Sequence, residues 1–103
     1  MTDRELLEWA ARAAGIDPHF AGPNTPRAWN PLTDDGDALR LAVALRMLIE
    51  PCRTMGGQFV EVHAYPSGRG DCAGIEPLGT DDAAATRRAI TRAAAAIGKE
   101  QSK

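Results

Sequence analysis

Apolar residues recur at helical spacing in three stretches of the chain and alternate with polar ones in a fourth. The most apolar stretch follows a Trp-Asn-Pro turn. Ala38, Leu41, Ala42, Leu45, Leu48 and Ile49 repeat at i, i+3, i+4 and i+7, the spacing of a helix facing a core. Leu39, Val43 and Met47 widen that stripe, so this helix, over about 34–49, is expected to touch protein on two sides. Thr33, Asp34, Asp35 and Asp37 supply capping groups at its start, and Pro51 supplies its stop.

Near the beginning, Thr2 followed by Glu5 is a capping box. Leu6, Ala10 and Ala13, with Leu7 and Ala14 beside them, give a helix over about 3–14, closed by Gly15. Toward the other end, Thr80-Asp81-Asp82 opens an alanine-rich helix over about 82–97 that Gly98 is expected to close. Its predicted inward stripe is Thr86, Ile90, Ala93 and Ile97, with Arg87, Arg88, Arg92 and Lys99 outward. Small side chains allow such a backbone to approach a sheet closely.

Alternation begins at Gln58. Val60, Val62 and Ala64 fall on one face and Phe59, Glu61, His63 and Tyr65 on the other, which predicts a strand over about 58–65. Pro66 to Asp71 is a hairpin loop, and 72–76 a shorter return strand. Residues 16–31, with Pro18, Pro23, Pro26 and Pro31, are expected to be irregular, Trp29 burying its ring against the second helix and Asn30 bonding local backbone. The order predicts one small α+β domain, an antiparallel sheet covered by three helices in α/β/α layers.

Composition narrows the function more by exclusion than by assignment. The chain has 103 residues, 44% hydrophobic and 25% charged, with a net charge of -2. That suits a single globular domain and argues against a protein that lives on phosphate backbones. No apolar run approaches the roughly 20 residues of a membrane span, so no membrane role is expected. The charged start, Met1 to Glu5, lacks the apolar stretch of a secretory signal, which makes the cytoplasm the expected compartment.

Candidate chemistry is sparse. Cys52 and Cys72 fall outside any CxxC spacing, and His19 and His63 are isolated, so neither a metal site nor any other cofactor is expected. Asp34, Asp35 and Asp37 lack the alternate-position ligands of a calcium loop and read as helix caps. A cysteine with His63 is the only nucleophile–base pairing type available, and no glycine-rich phosphate loop precedes a helix, so the chain is not expected to be an enzyme. Arg87, Arg88 and Arg92 suit either a solvated helix face or a phosphate-contacting stripe.

Three stretches carry a resemblance. The string from Trp29 to Val43, WNPLTDDGDALRLAV, is similar to the central signature of the phage ABA-sandwich domain proteins, short proteins of phages and prophages. Residues 84–98 resemble their closing helix, and Thr2 to Gly15 their opening one. The resemblance implies helices sandwiching a small antiparallel sheet and a home in the cytoplasm of an infected bacterium. It carries no activity that transfers residue by residue. The segment before the tryptophan, two-stranded in that family, is replaced here by the proline-rich Pro18 to Pro26, and residues 50–57 also diverge.

The expectation is therefore a non-enzymatic phage or prophage protein that binds a host protein, inhibition of a defence system such as CRISPR being one form. Its contacts are expected from two loops, through Phe20, Asn24, Arg27, Tyr65, Arg69 and Asp71. The alternative is a nucleic-acid-binding regulator that uses Arg87, Arg88 and Arg92. A sheet edge or the apolar second helix offers a surface for a homodimer.

Overall fold

The computed structural model describes residues 2–17, 29–63 and 72–101. In chain order the elements are α1 (Asp3–Ala13), α2 (Asp35–Ala44), β1 (Leu48–Thr54), β2 (Gly57–His63), β3 (Cys72–Pro77) and α3 (Asp82–Gln101). The fold class is α+β, with three helices and an antiparallel sheet of order β1-β2-β3, α3 lying on one face of the sheet and α1 and α2 packing against α3.

Local chemistry starts the first two helices as their sequences dictate. The Glu5 backbone N–H donates to Thr2 Oγ1 at 3.2 Å, and Glu5 Oε1 accepts from the Thr2 N–H at 3.4 Å, completing the capping box. At α2, Asp34 Oδ2 accepts from the Asp37 N–H at 2.8 Å. Asn30 organises the turn before it: Oδ1 accepts from the Leu32 N–H at 3.0 Å, and the Asn30 N–H donates to Asp37 Oδ2 at 2.9 Å. Asp34 and Asp37 are thus spent on backbone donors, each cap contributing about 1 kcal/mol.

The end of α2 corrects the expectation of a helix over 34–49. The helix stops at Ala44, and Arg46 takes a left-handed φ of 54°. The Met47 N–H donates back to the Ala42 carbonyl at 2.9 Å and the Arg46 N–H to that of Val43 at 3.2 Å, a Schellman closure without glycine. Arg46 itself donates from Nη1 to the Val43 carbonyl, which helps hold the bend. Leu48 and Ile49 then belong to β1, paired residue for residue with β2 from Leu48↔His63 to Thr54↔Gly57. Pro51 lies inside that strand, tolerated because β1 is an edge of the described sheet.

The organising helix is α3. Ala89, Ile90, Thr91, Ala93, Ala94, Ala95 and Gly98 are all buried, so α3 is covered around most of its circumference. Two glycine contacts explain how. A Cβ on Gly74 of β3 would overlap the Ala89 carbonyl oxygen, and one on Gly98 would overlap the Trp9 carbonyl oxygen of α1. Positions 89 and 98 are nine apart, half a turn out of phase, so the sheet and α1 lie on opposite sides of α3. Gly98 is therefore a packing residue inside a longer helix, where a terminator was expected. Thr91, fully buried, is satisfied by donating to the Arg87 carbonyl at 2.8 Å.

By contrast α2 buries only Ala38, Leu41 and Ala42, and leaves Leu39 and Val43 62% and 57% exposed. The expected second protein contact is not made within the described residues. Trp29, Leu45, Met47 and Ile49 pack partly buried against the core.

Candidate functional site

Two features of this framework lie where chemistry or binding is possible. The first comes from the alternation of β2. Val60 and Val62 point to the helices and are 1% and 0% exposed. Phe59, Glu61 and His63 point the other way and are only partly buried. Register places Glu50 of β1 directly opposite Glu61, and Leu48 opposite His63. On the far side β3 sets Ile75, 52% exposed, opposite Glu61.

This face therefore holds a polar centre between apolar neighbours. His63 Nε2 lies 3.1 Å from Glu61 Oε2, and one donor atom from each of Glu50, Glu61 and His63 lies within 4.8 Å of the others. Among the described residues no lysine or arginine makes an ion pair with either glutamate. Like charges directly opposite on antiparallel strands cost roughly 0.2–1 kcal/mol, so the arrangement needs a reason. The sequence pattern hides it, because Leu48 and Ile49 continue the helical period and Glu50 falls just past the predicted helix. Only the pairing of β1 brings it across from Glu61.

The second feature is an open cleft of about 380 Å³ between α2, the first turns of α3 and β1. Its apolar wall is Ala38, Leu39, Ile49, Ala83 and Ile90; Asp35, Asp82 and Arg87 supply polar groups. Leu39 and Val43, one turn apart, continue that wall as an exposed ridge along α2. An open apolar cleft of this kind suits side chains from another macromolecule better than an enclosed small molecule.

The arginines of α3 are engaged within the fold. Arg87 donates from Nε to the Leu32 carbonyl at 2.9 Å and from Nη1 to Asp35 Oδ1 at 2.6 Å, with only 18% of its side chain exposed. It ties α3 to the turn that opens α2. Arg88 reaches Asp3 Oδ1 at 2.9 Å and Glu76 Oε1 at 3.9 Å, and Arg92 reaches Glu76 Oε2 at 4.0 Å. The expected outward stripe is instead a set of links to α1, α2 and β3. Phe20, Asn24, Arg27, Tyr65, Arg69 and Asp71, the expected partner contacts, lie outside the described residues. Backbone pairing sets Cys72 opposite His63.

Among the described residues no helix is long and apolar enough to cross a membrane. Compared with known protein families, with curated proteins and with solved structures, the chain matches none.

Proposed function

We propose that this chain is a non-enzymatic binding protein whose partner is another protein, seated on the cleft and ridge formed by α2 and α3. The observation that carries the proposal is the exposure of Leu39 and Val43 beside a cleft walled by apolar side chains. Leaving two large aliphatic side chains in water on a helix whose other face is core forgoes roughly 1.5–3 kcal/mol of burial for each. A partner that covers them recovers it. Asp82 beside the cleft, in no ion pair among the described residues, favours a partner that brings a basic group to the margin of an apolar contact.

The resemblance of residues 29–43 to phage ABA-sandwich proteins supplies the setting: an infected bacterial cytoplasm and a host protein as target. Blocking a component of a defence system such as CRISPR is one form this binding would take, and its mechanism is steric. Nucleic acid is a poorer partner. Arg87, Arg88 and Arg92 already pair with Asp35, Asp3 and Glu76, so a phosphate would have to displace carboxylates to reach them.

The test is affinity capture of the tagged chain from a bacterial lysate, with and without nuclease, beside two variants. A protein partner that survives nuclease, is lost with Leu39→Asp plus Val43→Asp, and is retained with Arg88→Ala plus Arg92→Ala supports the proposal. Capture that depends on nucleic acid, or that survives the α2 substitutions, contradicts it. Both α2 positions are exposed, so the double variant should keep its helical circular dichroism.

A further inference from the structure

We propose that Glu50, Glu61 and His63 form a binding site for a divalent transition metal, zinc being its favoured occupant. The site is on the sheet face turned away from α3, so it stands apart from the α2–α3 cleft and does not depend on it.

Four observations carry the assignment. Donor atoms of the three residues already lie within 4.8 Å of one another, and the closest pair, His63 Nε2 and Glu61 Oε2, at 3.1 Å. A tetrahedral zinc with bonds of about 2.0–2.2 Å sets its donors roughly 3.3–3.5 Å apart. The Glu61–His63 pair is close to that spacing, and the remaining closure falls to Glu50, an exposed side chain with rotamers to spare. Next, the ligands come from strands, not loops: Glu61 and His63 from the central strand β2, and Glu50 from β1 in fixed register. Backbone pairing thus holds the site's geometry.

Third, two glutamates stand directly opposite each other with no lysine or arginine of the described residues paired to either. A bound dication turns that repulsion into a favourable interaction. Finally, the donor set chooses the metal. Calcium and magnesium ask for six or more oxygens, whereas an imidazole with two carboxylates suits the borderline divalent ions. Zinc has no geometric preference of electronic origin, and so accepts three protein donors with a fourth position left to water.

The experiment is titration of the full chain with Co²⁺, followed by displacement with Zn²⁺, monitored by visible absorption. The expected result is one ion per chain, with ligand-field bands of a four- or five-coordinate ion and no thiolate charge-transfer band. Glu50→Gln and His63→Gln should each weaken binding by more than the ~10–100-fold that loss of a mere supporting partner costs. Cys52→Ser plus Cys72→Ser should leave it unchanged. Absence of binding overturns the proposal. So does binding that survives Glu50→Gln and His63→Gln, or that is lost in the cysteine variant. Circular dichroism of each variant separates loss of the site from loss of the fold.

Discussion

The two faces of β2 are built from alternate residues of one strand and are opposite in character. On one, Val60 and Val62 are sealed against the helices, and Gly74 of the neighbouring strand lets the Ala89 carbonyl come closer than any side chain would permit. On the other, Phe59, Glu61 and His63 are half-covered, and Glu50 stands opposite Glu61 with no lysine or arginine of the described residues paired to it. The first face is optimised for folding at the expense of tolerance. The second accepts a local electrostatic cost that folding does not require. That difference marks the second as the face available for chemistry. A similar division separates α3, buried around most of its girth, from α2, which leaves Leu39 and Val43 in water.

Substitutions on the two faces should therefore differ in size and in sign. The largest effect is expected from Val62→Asp, which buries an unpaired carboxylate beneath α3. A loss of at least about 3 kcal/mol is a large share of the total stability of a small domain, and should abolish or severely lower the thermal transition. Gly98→Ala comes next. Its methyl meets the Trp9 carbonyl and must push α1 from α3, at a cost of about 1–3 kcal/mol by denaturant titration. Wild-type stability in either variant would mean that α3 is not the centre of the packing.

Arg87→Ala removes two charge-assisted hydrogen bonds from a largely covered guanidinium, for an expected loss of about 1–2 kcal/mol. The same change at Arg4, whose side chain is 89% exposed beside Glu8, should move stability by less than about 0.5 kcal/mol. Side-by-side melts of the two variants check the contrast. A comparably small effect carries the opposite sign: Glu50→Gln, freed of metal, should gain roughly 0.2–1 kcal/mol by removing the repulsion across β1 and β2.

The two Schellman closures show what was legible in the sequence. α1 ends with Gly15 at φ 75°, the residue that accepts that conformation without strain, and the sequence announces the stop. α2 ends with the same hydrogen-bond pattern at Arg46, a residue with no such signature. Leu48 and Ile49 happen to continue the helical period, and Pro51 mimics a helix stop, so β1 was invisible to pattern alone. Helix starts were legible because capping is local: Thr2, Asn30 and Asp34 bond backbone within a few residues. The exposed α2 ridge and the roles of Gly74 and Gly98 were not, because they depend on which elements meet. For the same reason the Glu50–Glu61–His63 cluster could not be found before the register of β1 was known.

Whether one face of the sheet serves folding and the other holds a ligand is decided by thermal melts of wild type and Glu50→Gln, each with chelator and with zinc. Glu50→Gln should melt higher than wild type in chelator, and zinc should raise the wild-type melting temperature while leaving the variant's nearly unchanged. A variant that melts lower than wild type in chelator, or that gains as much from zinc as wild type does, would contradict that division of the two faces.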